Sequence, residues 1–419
     1  MQVVEQHRID RHDPRWKAID EAAFASKNLY NAAMYAKRQA YILEQNRIIV
    51  YAELDTLMQP TDDYRALPAK VAQWVLKQVC TAWDTYFAAV AEFQKHPGKF
   101  LGHPKLPKYL DKQKGRNLLV YTAQAISRDP KHAGWIVPSG VPIRVPTKLT
   151  HPHIDQVRLV PKATHYVVEV VYERVPEPAS VDSSLVASID IGVNNLAAIT
   201  ANKRGFVPLL VNGRPAKSLN QGYNKRRAKL QSGLPEGVFS TRHLDEITDH
   251  RTRSITYYLH TASRAIITRL IHEGIGTLVI GKNVGWKQDV EMGKKGNQRF
   301  VMIPHARFIE MLTYKAALVG IQVIVTEESY TSKCSFLDEE TIGKQDTYAG
   351  KRVKRGLFRS ANGTLLNADV NGSYTILRKA IPDAFPNGNA GCVLRPEPLR
   401  LPDRRQDKSM QRVRPRASA

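Results

Sequence analysis

The order of the elements between residues 184 and 328 constrains the fold of this chain more than any other feature. The stretch SLVASIDIGVNNLAAITANKRGFVPLLVNG, which begins at residue 184, reads as three strands joined by tight turns. A long basic amphipathic helix follows from about 243 to 273, and then come a strand in TLVIGK, a helix in PHARFIEMLTYKAALVG and a strand in IQVIVTE. This order predicts one mixed sheet of five strands in the order 3-2-1-4-5.

A sheet of this order is that of a ribonuclease-H-like α/β domain, in which the first strand runs through the centre. An acid in that strand is either a costly buried charge or a ligand of a metal ion, and Asp190 is such an acid. Gly192 lets a phosphate or a metal-bound water approach the backbone, and Asn194 and Asn195 form the turn into the second strand. We therefore expect Asp190 to hold a metal ion, with a strand-end cap as the alternative.

Hydrolysis of a phosphodiester with two metal ions needs two or three carboxylates that hold two magnesium ions about 3.5 to 4 Å apart. The fourth strand carries Gly281 where an acid is expected, and Glu291 in the polar loop beyond it is a more distant alternative. The fifth strand, a run of β-branched residues that we expect to be buried, ends in Glu327 and Glu328. These two side chains point to opposite faces, so only one can lean across the gap left by the glycine. Asp369 opens the last helix and is either the third ligand or a helix cap.

The composition favours a polyanionic partner. The chain has 419 residues, enough for two or three domains, and its 62 Lys and Arg residues against 39 Asp and Glu leave a formal charge of +23. Because 42% of the residues are hydrophobic, the chain can fold, and the excess charge favours nucleic acid over a merely basic surface.

The three cysteines exclude two kinds of framework. Cys80, Cys334 and Cys392 lie far apart and no CxxC pair occurs, so neither a disulfide framework nor a four-cysteine zinc site can be built. The first residues lack an apolar signal region, and no later stretch has about 18 consecutive apolar residues. We therefore expect a soluble protein of a reducing cytoplasm that does not enter a membrane.

Residues 11–100 are expected to be helical, because apolar residues recur there at spacings of three and four. We assign the aromatic residues of this region to its core, although such a stripe could also stack on bases. From residue 101 the residue pattern changes, and GHPKLPKYL is typical of a basic linker interrupted by prolines. The short β-branched runs after it predict a small β-barrel or sandwich. The stretch VPEPASVDSS, residues 175–184, is expected to lead into the third region.

Four segments resemble the split RuvC motifs of TnpB, a family of transposon-encoded, RNA-guided DNA endonucleases related to Fanzor proteins and compact type V CRISPR effectors. They are SIDIGVNNLAA, IPHARFIEMLTYKA, ESYTSKCS and NADVNGSYTILRK, and IDEAAFASKNLYNAAMYAKRQAYI is similar to the family's N-terminal helical region. The resemblance implies that Asp190 is the first catalytic acid and Asp369 the third. Gly281 departs from the common pattern, but a subgroup with a rearranged site has a glutamate just before the Tyr-Thr-Ser motif. Glu328 fits that position and Glu327 is the reserve.

The resemblance also implies a domain plan and partners. A wedge β-barrel would comprise residues 1–10 and 101–180, with a helical recognition domain at 11–100 inserted in it, followed by a RuvC-like nuclease domain at 184–419. The family's zinc ribbon would fall at 331–366, where only Cys334 remains, so we expect no zinc. The basic tail 395–419 is expected to be disordered. The implied partners are a guide RNA and double-stranded target DNA with a short adjacent motif, in a prokaryotic cell where the protein joins the nucleoid when bound to DNA.

Basic residues of the third region are candidate phosphate contacts, each with a solvated surface as the alternative. They are Lys225, Arg226, Arg227, Lys229, Arg251, Arg253, Arg264, Arg269, Lys333, Arg352 and Arg355. Three functions remain open from the sequence: a magnesium-dependent RNA-guided endonuclease, an RNA-guided repressor that has lost cleavage, and a guide-free nuclease specific for DNA structure.

Overall fold

The computed structural model describes residues 1–149, 154–282 and 302–402, and the chain forms two compact units, Met1–Arg174 and Val175–Ala419. Both units mix helices with sheets, so the protein has a multidomain α+β fold. The elements of the first unit are β1 (Gln2–Asp10), α1 (Trp16–Leu43), α2 (Tyr51–Met58), α3 (Asp62–Arg65), α4 (Ala69–Lys95), β2 (Leu119–Thr122), β3 (Trp135–Ile136), β4 (Val145–Pro146), β5 (Ile154–Pro161) and β6 (His165–Glu173).

The first unit contains an antiparallel sheet in the order β1-β6-β5-β2, and β1 pairs with β6 from Gln2 opposite Glu173 to Asp10 opposite His165. Among the described residues the two edge strands do not pair with each other, so the sheet is open and the expected closed barrel does not form. The proline-rich runs explain the difference, because a proline cannot donate to a ladder. Accordingly, β3 and β4 pair over only two residues each.

The core of the first unit joins the sheet to the long helices α1 and α4. Trp83 is 1% exposed and belongs to this core, as the assignment of the helical region's aromatic residues to the interior predicted. Tyr121 and Tyr166 of the strands belong to the same core. Trp74, in contrast, is only half-buried and lies in a surface groove, with the ammonium of Lys77 5.1 Å from its ring centre.

The sequence predicted a linker at GHPKLPKYL, but the segment 104–112, which we call the strap, is bound to the rest of the first unit. Its backbone is bound to side chains along α1: Lys27 Nζ donates to the carbonyl of Lys112 (2.8 Å), and Arg38 donates to that of Pro107 (2.6 Å). The Asn31 amide both donates to the carbonyl of Leu110 and accepts from its N–H, at 3.0 and 2.9 Å. These bonds use only backbone groups of the strap, so its side chains gave no sign of them, and its prolines and lysines are typical of a linker.

The second unit has a six-stranded sheet in the order β11-β10-β7-β8-β9-β15. Its elements are β7 (Asp182–Asp190), β8 (Asn195–Ala201), β9 (Leu209–Asn212), α5 (Arg214–Gln231), α6 (Arg242–His272), β10 (Ile275–Gly281), α7 (His305–Ala317), β11 (Gln322–Thr326), β12 (Lys351–Lys354), β13 (Leu357–Arg359), β14 (Leu365–Asn367), α8 (Ala368–Ala380) and β15 (Glu397–Pro398). The first five strands have the order that the sequence predicted, with β7 in the centre.

Two features of this sheet differ from the expectations. The strand β15 adds to its edge beside β9, so residues 395–402 of the tail are ordered rather than disordered; the backbone N–H groups of Glu397 and Leu399 donate to Pro208 and Leu210. Residues 403–419 of that tail lie outside the described residues. At the other edge, β11 is half-exposed rather than buried, since among the described residues it has a neighbouring strand on one side only, and Val325 is 50% exposed.

Alternation along β7 assigns its side chains to two cores. Ala187 and Ile189 pack with α6 and α7 on one face, whereas Val186 packs against Ile376 of α8 on the other. Asp190 is therefore on the α8 face, with Val186 and Ser188. No helix in the described ranges is long and apolar enough to cross a membrane.

Candidate active site

Asp190 is the last residue of the central strand β7 and lies where the charges of two other acids reach it. Part of its surface is accessible, but protein surrounds its carboxyl group and burial is the largest cause of a pKa well above the usual value. The charges of Asp369 and Glu328 raise this pKa further, and the guanidinium of Arg352 opposes them. The structure thus places Asp369 and Glu328 within electrostatic reach of Asp190.

Asp369 lies in the first turn of α8 without acting as its cap. The cap is Asn367, whose Oδ1 accepts from the N–H groups of Asp369 (2.9 Å) and Val370 (3.2 Å). One oxygen of the Asp369 carboxylate accepts from the Asn195 side chain at 2.8 Å, and the other lies 3.9 Å from the guanidinium of Arg352. The carboxylate of Asp369 is therefore oriented toward the end of β7 and the start of β8.

A glycine and a group of hydroxyls bring α8 close to the central strand. A Cβ at Gly372 would lie 2.8 Å from Oδ2 of Asp190, so only glycine allows this approach. Next to it, the hydroxyls of Ser188, Thr200 and Ser373 are buried and hydrogen-bonded to one another at 2.9 to 3.1 Å. Ser188 also donates to the carbonyl of Ser373 (2.7 Å), and Ser373 donates to that of Ser188 (3.0 Å). These bonds fix the register of α8 against β7 two residues before Asp190.

Glu328 lies in the space that a side chain at position 281 would take. Ile280 pairs with Ile189, which brings Gly281 level with Asp190, and a Cβ at Gly281 would lie 2.6 Å from Oε2 of Glu328. Burial is the main reason that the pKa of Glu328 is raised to about 7; the charge of Glu327 adds to this effect and that of Lys379 opposes it. The glycine thus leaves room for the carboxylate of Glu328, which follows the neighbouring strand β11.

Glu327 has different surroundings from Glu328. Its side chain is 48% exposed, and one oxygen accepts from Nζ of Lys379 at 2.7 Å while the other accepts from the backbone of Ser329 at 2.9 Å. The hydrogen bond from Lys379 is the main reason that the pKa of Glu327 is lowered. Lys379 also donates to the carbonyl of Ser329 (3.1 Å), so Glu327 secures the turn from which Glu328 points inward.

Three carboxylates with no nitrogen or sulfur donor among them form the kind of ligand set that magnesium prefers. Asp190, Glu328 and Asp369 therefore fit such an ion by chemistry, and the raised pKa values show that positive charge would stabilise the first two. In the described part of the chain, no three His, Cys, Asp or Glu side chains converge closely enough to hold a metal ion as they stand. Glu291, the more distant alternative, lies outside the described residues.

The segment 331–366 is the place of the family's zinc ribbon. In this protein, hydrogen bonds and aromatic packing hold the segment in place. The buried amide of Asn371 accepts from the N–H of Phe336 (3.0 Å) and donates to the carbonyl of Cys334 (2.8 Å). The ring of Phe336 stacks on Tyr374 at 4.5 Å, and the Glu340 carboxylate accepts from the N–H of Ser335 at 2.7 Å. These contacts attach the segment to α8.

Most of the basic residues proposed as phosphate contacts have free surfaces. Those with exposed side chains and no ion pair within the described ranges are Lys225, Arg226, Arg227, Lys229, Arg264, Lys333 and Arg355. Arg352 is half-exposed and faces Asp369, which places it at the candidate site.

Three of the proposed contacts are instead engaged within the protein. Arg251 donates to Asn220 Oδ1 (2.7 Å) and to the carbonyl of Met302 (2.6 Å), and its burial makes it a structural residue. Arg253 and Arg269 form ion pairs one helical turn away, with Asp249 at 3.3 Å and with Glu273 at 2.8 Å. The sequence could not show the partners of Arg251, whereas the partners of Arg253 and Arg269 lie at the i,i+4 spacing of a helix.

Several residues of the site were not predicted to take part in it. The structure adds Asn195, Gly372, Ser373 and Lys379, which orient or admit the acids. For two of these residues the sequence contained a signal. Gly372 and Ser373 lie one helical turn after Asp369 and so share its side of α8.

Two segments of the chain match known protein families. Residues 165–287 match the family OrfB of IS605, described as a probable transposase, and residues 305–376 match the TNB domain of Cas12f1-like proteins. The TnpB-like protein ORF457 of the Acidianus two-tailed virus is 27% identical over 212 residues, which are 47% of this chain and 42% of that protein.

A second relative and one solved structure extend the comparison. The CRISPR-associated endodeoxyribonuclease Cas12f2 of a Micrarchaeota archaeon is 26% identical over 242 residues, 52% of this chain and 40% of that protein. The matched parts thus span about two fifths of the length of the two curated relatives. The Cas12f1 chain of a Cas12f1-sgRNA-target DNA complex has a TM-score of 0.53 and 14% identity, over 86% of this chain and 83% of that one, which shows a shared fold.

Proposed function

Since the chain is a relative of the TnpB and Cas12f proteins, we propose that it is an RNA-guided endonuclease that cleaves guide-complementary double-stranded DNA beside a short motif. The observation that carries the proposal is the gathering of Asp190, Glu328 and Asp369 at one end of β7, with Glu328 in the space left by Gly281. A buried cluster of carboxylates is costly to a fold and is typical of a site that binds cations.

In this proposal the three carboxylates hold two magnesium ions. When bound, the ions supply an activated water and stabilise the leaving oxygen of the phosphodiester. Asn195 orients the carboxylate of Asp369, and Gly372 allows α8 to approach Asp190. Because burial raises the pKa of Glu328 to about 7, the fraction of this carboxyl that is protonated near neutral pH would lose its proton on binding a cation.

The exposed basic residues serve the guide and the target in this proposal. An A-form heteroduplex is held through its phosphates while base pairing reads the sequence, and α5 offers four cations, Lys225, Arg226, Arg227 and Lys229, on its surface. We assign residues 184–419 to a RuvC-like nuclease domain with a zinc-free insertion at 331–366. Residues 11–100 would be a recognition domain, and 1–10 with 101–180 a wedge.

The test is to express the chain with its flanking DNA, sequence the RNA that copurifies, and assay cleavage of a matched target beside a randomised flank with and without magnesium. We expect guided cleavage that is lost in Asp190→Asn and Glu328→Gln, while both variants still bind the target. These substitutions keep the size of the side chain, so a loss reports on charge. Full activity of either variant would refute this site.

A second candidate function follows from Gly281, because this position on the fourth strand carries an acid in the common RuvC pattern and has none here. A repressor that binds under RNA guidance would copurify with RNA and bind the matched target, yet it would cut nothing at any magnesium concentration. Cleavage without any copurifying RNA would instead indicate a guide-free nuclease.

A further inference from the structure

A groove of about 470 Å³ lies in the Met1–Arg174 unit between α1 and the strap. Pockets for small ligands commonly have about 300 to 1,000 Å³, so the groove has room for one nucleotide. The residues around it that matter here are Asn28, Tyr35, Asp63, Tyr109 and Lys112.

The groove is formed without any ligand. The bonds of Lys27, Asn31 and Arg38 to the strap fix one wall against α1, and they use the polar groups of Asn31 and the ammonium of Lys27. The guanidinium of Arg38 lies 5.2 Å from the centre of the Tyr109 ring, which helps to hold that ring in place. A ligand would therefore meet a preformed surface and lose little affinity to ordering it.

Two aromatic side chains at this groove are left in solvent. Tyr35 is 58% exposed and Tyr109 is 43% exposed, although both have large rings that a folded protein normally covers. Lys112, which also lines the groove, is exposed and forms no ion pair within the described ranges. Aromatic rings beside unpaired cations are typical of surfaces that bind single-stranded nucleic acid.

The remaining polar residues suit the edge of a base. Asp63 offers a carboxylate that can accept from an exocyclic amino group, and Asn28 offers both a donor and an acceptor. The combination differs from that of a duplex contact, which needs phosphate donors but leaves the face of each base inaccessible.

We propose that the groove binds an unpaired nucleotide, whose base stacks on Tyr35 or Tyr109 and whose phosphate contacts Lys112. This inference rests on the proposed function for the source of the nucleotide, which is either the RNA that copurifies or the target DNA. The groove shares no residue with the three carboxylates, so the inference concerns binding and not the chemistry of cleavage.

The experiment is photo-cross-linking of the full chain with two probes, followed by mass spectrometry of the linked peptides. One probe is the copurifying RNA with 4-thiouridine, or a short RNA of mixed sequence if none copurifies; the other is single-stranded DNA of the target with 5-iododeoxyuridine. We expect links to Tyr35 or Tyr109 from one probe, which identifies RNA or DNA as the source. Links from neither probe to either tyrosine would overturn the proposal.

Substitutions supply the second arm. Tyr35→Leu and Tyr109→Leu should weaken binding of the linked strand by about 5- to 150-fold, the range that loss of one stacked base implies. The matched control is Tyr172→Leu on β6, a half-buried tyrosine that does not line the groove. Affinities equal to that of the control, with unchanged melting temperatures, would also overturn the proposal. Because binding is measured apart from cleavage, a chain that binds here but cuts nothing would refute the proposed function alone.

Discussion

The most direct test of the rearranged site is Gly281→Ala. The new Cβ would lie 2.6 Å from Oε2 of Glu328, about 0.8 Å short of the 3.4 Å at which ordinary contact begins, and 2.7 Å from Cδ1 of Ile376. Both atoms are ends of flexible side chains, so the fold can yield, at a cost of about 1 kcal/mol at the low end of overpacking. The carboxylate of Glu328, however, must move away from the position it holds beside Asp190.

A shift of this size matters because magnesium requires nearly ideal octahedral geometry at about 2.0 to 2.1 Å. Misplacing a reacting group by about 1 Å can lower a rate by on the order of 100-fold, and we expect Gly281→Ala to lower the cleavage rate by about that factor. The assay is single-turnover cleavage of a matched target across a magnesium titration, with guided binding and the melting temperature measured in parallel. Magnesium should also raise the melting temperature less in the variant than in the wild type.

The control is Gly222→Ala, since its Cβ would have no atom within 4 Å and the change adds only a helix-favouring residue to α5. Cleavage by Gly281→Ala within a few-fold of this control, with the same magnesium dependence, would show that Glu328 is not a ligand. A loss of guided binding along with cleavage would also contradict the reasoning, because the predicted change is confined to the carboxylate.

Three further results are expected. Glu327→Gln should change cleavage by only a few-fold, because its exposed ion pair contributes at most about 1 kcal/mol, whereas Glu328→Gln should abolish it in the same assay. Ser188→Ala should lower the free energy of unfolding in urea by about 1 to 3 kcal/mol, since it leaves buried hydrogen-bonding groups without their partner; an unchanged midpoint would contradict this. Burial lowers the pKa of Lys315 to about 8 from 10.5, so the folded state loses this proton first, and wild type should gain stability relative to Lys315→Met as the pH rises from 8 to 10.5. A stability difference that stays constant across this pH range would refute it.

The strand order and the position of Asp190 could be predicted because both follow from short-range patterns. A strand with an acid at the end of an apolar run has few places in a sheet, and the order of strands and helices leaves few topologies. The same reasoning led to the pair Glu327 and Glu328, since a glycine in a buried strand creates a gap that a longer side chain can fill from the next strand, and the resemblance to the rearranged subgroup then favoured Glu328. The separation of Glu327 from Glu328 then follows from the alternation of side chains along an extended chain.

The remaining features depend on contacts between residues far apart in the sequence. Nothing in the spacing of Arg251 shows that Asn220 and the Met302 carbonyl bind it, and nothing in GHPKLPKYL shows that the strap lies on α1. The sequence also overestimated closure of the first sheet, because β-branched residues indicate strands while prolines decide how far they pair. Periodic patterns can be identified in a sequence, whereas the hydrogen-bond partners of distant residues are known only from the structure.

The helix α8 has a consequence for how this protein is made. It carries Asp369 and also Gly372, Ser373, Ile376 and Lys379, and through them it contacts the surroundings of every other acid of the site. A ribosome produces Asp190 early and this helix roughly 180 residues later, at about 5 to 20 residues per second. For many seconds a nascent chain therefore contains the central strand without the helix that completes the site. On this geometry the carboxylates cannot assemble until synthesis has passed residue 380, so under the proposed function an unfinished chain would not cleave DNA.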